Sequence, residues 1–475
     1  MFRSFHAGVA DASSHPSRAS VPEPAAIDKP SSRPVRQPEP QPPAPGKSPA
    51  NAAPDTTLKS ELHNILLGQL NLGAVEKVSK SDLRREIAAL VAQHLQDIER
   101  IMSAPVFQEL VGELLDEVLG LGPLEPLLAD PSVADILVNG PDNVFVERAG
   151  LLERTNVRFH DERHLLRIID KIVSSVGRRI DESQPWVDAR LEDGSRVNAI
   201  IRPCAIDGAS LSIRKFSRTP LHMDKLVEHG ALSKPAAQFL QAAVMARMNV
   251  LISGGTGSGK TTMLNALSSF IDSRHRLVTI EDAAELQLQQ EHVVRLETRP
   301  ANVEGQGRIS QRDLVINALR MRPDRIMVGE VRGNEAFDML QAMNTGHDGS
   351  MTTIHANTAR DAVSRLEQMV MMIGGDFPIQ AIRAQIASGV QLVLQLNRMA
   401  DGRRRVTSIS EIVGLEGDTI MMQEIFAFKK MGLDAEGNVL GRMMANGIRP
   451  RCFEAIMAAG MPLAADAFSH MAEVG

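Results

Sequence analysis

A chain of 475 residues, 43% hydrophobic and 23% charged, has room for about two to four domains with full cores. A net charge of −6, 3% aromatic residues and no tyrosine leave little with which to grip nucleic acid, so no nucleic-acid partner is expected. Two cysteines far apart exclude a disulfide framework and a cysteine-based metal knot, and no apolar run reaches the roughly 18 residues a membrane span needs.

Residues 1–55 read as a disordered Pro-rich tail. Twelve of the 26 prolines fall within 1–54, around "QPEPQPPAPGKSPA". Such a segment cannot bury enough apolar surface to offset its ordering entropy. A plain tail is favoured over a Pro-rich docking ligand. The first residues lack the continuous apolar stretch of a secretory leader, so a cytoplasmic protein is expected, free to dock on a membrane through a partner.

Residues 56–120 read as helical. Leu58, Leu62, Ile65, Leu66 and Leu70 recur at helical spacing, as do Leu83, Ile87, Leu90, Val91, Leu95 and Ile98. A third run carries Val106, Phe107, Leu110, Val111, Leu114, Leu115 and Val118 behind Pro105, which is tolerated in a first turn. These faces need a partner: the body of the protein, a neighbouring subunit or a membrane protein.

Over 121–216 the period shortens to give an α+β unit. "ADILVNGPDNVFVERAG" reads as strand, turn, strand; 161–177 reads as a helix; Asp193–Gly194 marks a hairpin; and 209–216 is a further strand. Residues 217–233 are taken as a linker and hinge. From 234 to 475, short apolar runs alternate with helical patterns, which predicts a mainly parallel sheet covered by helices.

The chemistry starts at "SGGTGSGKTT". Gly254, Gly255, Thr256, Gly257, Ser258, Gly259, Lys260, Thr261 and Thr262 fit the G-x-x-x-x-G-K-[ST] loop between the strand "NVLIS" and the helix "TTMLNALSSF". Glycines let backbone N–H groups ring a triphosphate, Lys260 reaches its β and γ phosphates, and the Thr261 hydroxyl ligates Mg²⁺. ATP and Mg²⁺ are the expected ligands.

Hydrolysis also needs a carboxylate to orient water and positive charge for the transition state. "TIEDAAEL" puts Glu281, Asp282 and Glu285 just past a strand; a helical turn there would bring Glu281 and Glu285 together. "RIMVGEVRG" ends a strand in Glu330, with Gly329 where an Asp is common. Metal help then comes from Glu330 or from Asp282 in the acidic stretch. "NTGHDGSMTTIHANTA" places His347 and His355 at opposite ends of a short strand, too far apart for one metal. His355 is either a γ-phosphate sensor or a hydrogen-bonded structural residue.

Phosphate loop, acidic box, strand with Glu and His box, in that order, resemble the secretion superfamily of ATPases. "EVLGLGPLEPLLADPSVADILVNGPDNVFVERAG", "RIDESQPWVDARLEDGSRVNAI" and "GEVRGNEAFDMLQAMNTGHDGSMTTIHANTARDAVSRLEQMV" make residues 57–450 similar to its CpaF/TadA-like branch, the motors of tight-adherence (Flp) pilus assembly. The paired-cysteine module of type II secretion ATPases is missing. The resemblance implies a homohexamer, each subunit with a PAS-like N-domain (121–216) and a RecA-like P-loop domain (234–475). It implies that Arg214 and Arg196 of the N-domain, with Arg190 as a further candidate, reach the γ-phosphate. It also implies a polytopic inner-membrane platform as partner and prepilin or a secreted substrate as indirect cargo. On this reading Glu330, with Glu281 or Glu285, positions water. The alternatives are a type IV secretion ATPase exporting protein or DNA, and an ATP-gated scaffold with negligible turnover.

Overall fold

The computed structural model describes residues 58, 61–62, 65–66, 79–216, 221–301, 306–374, 377–461, 463 and 465–469. The Pro-rich tail lies outside the described residues, as does Leu70. Ser79 opens helix α1 (Lys80–Asp97) by accepting from the Asp82 amide, and α2 follows over Ala104–Leu119 with Pro105 in its first turn. The stripe Leu83, Ile87, Val91 and Leu95 packs on Leu110, Val111, Leu114 and Leu115, joined by Leu58, Leu62 and Leu66. The helical faces left open by the sequence therefore pack on one another. His164 Nε2, 2.8 Å from Glu117 Oε2, ties α2 to the unit that follows.

That unit is an antiparallel sheet. After a short helix, α3 (Glu125–Ala129), come β1 (Val133–Asn139), β2 (Val144–Arg148), β3 (Leu151–Arg154), α4 (Glu162–Ser175), β4 (Trp186–Arg190), β5 (Arg196–Ile200) and β6 (Ser210–Arg214). The strand order is β3-β2-β1-β6-β5-β4. Helix α4 buries Leu165, Ile168, Ile169, Ile172 and Val173 against Ile136, Val138, Val144, Val146, Leu211 and Ile213. Each such side chain contributes about 1.5–3 kcal/mol of transfer free energy.

Strand residues alternate faces, so the neighbours of these core residues point the other way. Asp135 stands in register with Glu147 on β2 and with Arg214 on β6. Arg214 is in register with Arg196 on β5, and Arg196 with Arg190 on β4. Glu147, Asp135, Arg214, Arg196 and Arg190 thus form one charged row across five strands, on the face opposite α4.

The third part is a nine-stranded sheet in the order β15-β14-β13-β12-β7-β11-β10-β8-β9. Six strands are parallel: β7 (Val250–Gly254), β8 (Leu277–Glu281), β9 (Val293–Glu297), β10 (Arg325–Val331), β11 (Met351–Ile354) and β12 (Leu392–Arg398). β13 (Arg404–Glu416), β14 (Thr419–Leu433) and β15 (Val439–Ala445) extend it antiparallel. The stretch 404–445 is thus two long consecutive hairpins. β9 has no clear signal in the sequence because its pattern of burial is shallow. Helices α5 (Met223–Glu228), α6 (Lys234–Met245), α7 (Lys260–Ser268), α8 (Gln311–Ala318), α9 (Glu335–Asn344), α10 (Ala359–Met371), α11 (Ile379–Gly389) and α12 (Cys452–Ala458) complete it. Val250 and Ile252 of β7 enter one core and Leu251 the other, so this strand is covered on both faces. Among the described residues no helix is long and apolar enough to cross a membrane.

The linker expected over 217–233 is only partly one. Residues 217–220 lie outside the described residues, but α5 buries Met223 and Leu226, and Leu232 follows them into the core of the large sheet. Residues 223–232 therefore pack on the large sheet and are not a free linker.

Candidate active site

Parallel strands deliver their C-terminal ends to one edge of a sheet, and the loops leaving them make a crevice. Here that edge receives Gly254 from β7, Glu281 from β8, Glu330 from β10, His355 just past β11 and Arg398 from β12. The charged row of the N-terminal sheet faces them. A cavity of about 760 Å³ lies between, lined from both sides.

The loop after β7 keeps its form through its glycines. Gly257 (φ +68°) and Gly259 (φ +93°) adopt the left-handed conformation that side chains disfavour. Gly259 caps α7, so the first amides of that helix face the cavity. Thr256 to Thr262 line the cavity, and Gly254 and Gly255 do not. Lys260, 8% exposed, donates to the carbonyls of Gly254 and Gly255, both at 3.0 Å. Burial pulls its pKa down, Glu330 opposes this, and Arg214 and Arg332 add to it. No ion pair holds Lys260 among the described residues. A buried ammonium resting on carbonyls suits an incoming anion.

His355 Nε2 lies 3.3 Å from Lys260 Nζ and 3.1 Å from Glu330 Oε1. Burial and the Lys260 charge lower its pKa, which favours the neutral ring. Glu330 Oε2 accepts from Arg332 Nε at 2.8 Å. Its other oxygen, Oε1, meets no hydrogen-bond geometry, although His355 Nε2 stands 3.1 Å away. Such an atom calls for a water or cation.

Glu281 is 3% exposed, and its Oε2 accepts from the amides of Glu285 (2.7 Å) and Leu286 (2.9 Å). Its Oε1 also lacks a hydrogen bond, and burial raises its pKa. These contacts correct the sequence reading of a helical turn at 281–285. The chain after β8 is irregular because the Glu281 carboxylate collects the amides that a helix would have used. Glu281 and Glu285 are consequently not a pair: Glu285 Oε1 lies 2.9 Å from Arg196 Nε. The Glu281 side chain also accounts for Gly329. A Cβ at 329 would stand 2.9 Å from Glu281 Cγ, so no Asp fits there while Glu281 keeps its place.

Asp282 Oδ2 is 2.9 Å from Arg332 NH1, so Arg332 bridges Asp282 and Glu330. Thr261 lines the same cavity. The Thr261 hydroxyl and Glu330 Oε1 are hard donors of the kind Mg²⁺ takes, while Asp282 is committed to an arginine.

From the other wall, Arg214 Nε donates to Asp135 Oδ1 at 3.1 Å and its side chain stays half exposed in the cavity. Asp135 and burial act against each other on Arg214: burial lowers its pKa, Asp135 raises it, and the net shift is upward. Arg196 donates to the Ala283 carbonyl, and Arg190 to Ala284 O at 3.3 Å. Arg190 also pairs with Glu297 at 3.0 Å. Arg196 and Arg190 thus clasp the segment after β8, leaving Arg214 nearest to an open role. His347 lies at the far end of β11, outside the cavity.

Sequence reasoning missed Arg332, Asp135, Glu147, Arg398 and Arg404, all of which line the cavity. Arg332 was legible as a cation two residues after Glu330, just past the end of β10, and Asp401–Gly402 was a legible hairpin signal between Arg398 and Arg404.

A phosphate-type loop after a central parallel strand, with carboxylates and a histidine on adjoining strand ends, defines an α/β protein of the P-loop class. More narrowly, the family model described as "Type II/IV secretion system protein" matches residues 117–443, and the chain belongs to that family. The Mycobacterium tuberculosis (strain ATCC 25618 / H37Rv) protein named "Putative conjugal transfer protein Rv3659c" is 41% identical over 310 residues, 64% of this chain and 88% of its own. "Type IV secretion system protein VirB11" of Bartonella quintana is 31% identical over 332 residues, covering 61% of this chain and 91% of its own. Among solved structures, the VirB11 ATPase from the Brucella suis type IV secretion system, in complex with sulphate, is 30% identical. It covers 61% of this chain and 96% of its own at a TM-score of 0.34.

Proposed function

We propose that this protein is an ATP-hydrolysing motor of the secretion family. It works as a cytoplasmic homohexamer on a polytopic inner-membrane platform and powers tight-adherence (Flp) pilus assembly. The domains on this reading are a helical segment (56–120), a PAS-like N-domain (121–216) and a RecA-like domain from 234. The observation that carries the catalytic part is the meeting of Lys260, Glu330, Glu281 and His355 with Arg214 in one cavity walled by two domains.

Lys260 exchanges its loop carbonyls for phosphate oxygens of ATP. Glu330 and Glu281 orient the attacking water, Glu281 through an oxygen that has no hydrogen bond; the raised pKa of Glu281 suits it to take the proton. His355, neutral and between Lys260 and Glu330, is placed to sense the terminal phosphate. Arg214 brings charge from the other domain, which couples cleavage to domain movement. Mg²⁺, held by Thr261 and Glu330, supplies neutralisation of the phosphate charge when bound.

Steady-state phosphate release with Mg-ATP tests this. The wild type turns over; Lys260→Ala and Glu330→Gln lose turnover while keeping the fold by circular dichroism. Equal, near-zero rates in the wild type and Glu330→Gln under assembled conditions would favour an ATP-gated scaffold. The conjugal-transfer and type IV secretion names of the relatives support a second reading, export of protein or DNA. A Lys260→Ala strain separates the two: loss of surface pili supports the first, loss of export with pili intact the second.

A further inference from the structure

The N-terminal sheet reaches the phosphate loop through one carboxylate. Glu147, on β2, is 8% exposed. Its Oε1 accepts from Arg404 NH2 at 2.9 Å and its Oε2 from Arg398 NH1 at 3.3 Å. Both arginines belong to the β12–β13 hairpin of the other domain. Arg404 then continues the chain: its Nε donates to the Gly257 carbonyl at 2.8 Å. Its Cδ would lie 3.5 Å from a Cβ at Gly259, and Arg398 NH1 3.7 Å from one at Gly257, so the two guanidinium-bearing side chains cover the loop.

The backbone around this bridge is fitted for close approach. A Cβ on Gly150, in the β2–β3 turn, would stand 2.6 Å from the Gly402 carbonyl; a Cβ on Gly402 would stand 3.1 Å from the Ala149 carbonyl. Both glycines have positive φ, at +86° and +78°. The two turns therefore seat backbone on backbone, which fixes where Glu147 meets the hairpin.

We propose that Glu147 is a positioning residue: it holds Arg404 on the Gly257 carbonyl and so sets the phosphate loop from the N-terminal domain. A peptide unit is planar, so pinning the Gly257 carbonyl also pins the Ser258 N–H, which donates to the Gly255 carbonyl at 3.4 Å within the loop. Two guanidiniums share one buried carboxylate, and charge-assisted bonds of this kind are the strong ones. Neutralising Glu147 leaves Arg404 free to swing toward water and the loop free to turn over its peptide. This proposal takes its purpose from the nucleotide reading, but the brace itself exists without nucleotide.

The experiment is millisecond hydrogen exchange on the nucleotide-free full-length chain, read at amides 255–259, for wild type, Glu147→Gln, Arg404→Gln and the double variant. Either single substitution is expected to speed exchange there about tenfold, the scale of one lost charge-assisted bond. The double variant goes no further, because the two residues act in series. Protection of β1 and β6 reports the fold. Should Glu147→Gln lose it, Arg404→Gln, which leaves the N-terminal sheet intact, must still give the tenfold rise. Unchanged exchange in Arg404→Gln, or single effects that multiply in the double variant, would overturn the brace. Added ATP that fails to slow exchange in the wild-type loop would instead count against the nucleotide reading, leaving the brace to stand or fall on the nucleotide-free data.

Discussion

Glu281 occupies the space that a side chain at Gly329 would need: a Cβ there would lie 2.9 Å from Glu281 Cγ. The glycine is required by this neighbour and not by its own backbone, since it lies outside the positive-φ set. Glu281 cannot simply step aside, because two amides hold its Oε2. Gly329→Ala is expected to cost about 1–3 kcal/mol of stability, the usual range for overpacking, and to lower turnover by displacing Glu281. Chemical denaturation and phosphate release check both. No change in either would mean that Glu281 is not fixed.

Burial raises the Glu281 pKa above its usual 4.5, against the pull of its two amide donors. The folded state therefore holds this proton more tightly than the unfolded chain. The associated stability is fully present below the unfolded pKa and is lost as pH rises through the folded one. Gln mimics the protonated form and accepts the same amides. Glu281→Gln should gain stability relative to wild type as pH climbs from 4.5, then level off, while losing turnover. A stability difference that does not vary with pH would contradict the burial argument.

His355 titrates below its usual 6.5, first through burial and then through Lys260. With a folded pKa under the unfolded one, its stability contribution is present above 6.5 and is lost as pH falls through the folded value. Lys260→Met removes the second cause and leaves the first. The His355 ring signal in ¹³C-histidine-labelled protein should then titrate at higher pH than in wild type, still short of an exposed histidine. An unmoved titration would break the Lys260–His355 link.

The phosphate loop was legible because its chemistry is local: ten residues carry the glycines, the ammonium and the hydroxyls. The carboxylates at strand ends were legible for the same reason, since a strand announces where it stops. The opposite wall was not. Asp135 joins Arg214 across 79 positions, and nothing in either strand states that pairing. Glu147 is counted into the row through the short β1–β2 hairpin only once that register is known. The Glu281–Glu285 spacing misled because four residues signal a shared face only in a helix, and here the first side chain consumes the amides that a helix needs. The linker reading failed at Met223 and Leu226, whose run is too short to show a period.

The central claim is that a guanidinium from one domain serves a phosphate held by the other. Its most direct test is Arg214→Ala, measured for ATP affinity by equilibrium binding and for turnover by phosphate release on the same preparation. Turnover is expected to fall by about 10³-fold or more, the scale of arginine fingers in P-loop enzymes, with affinity nearly kept. Turnover equal to wild type would contradict it, and the two walls would then share a cavity without sharing a reaction.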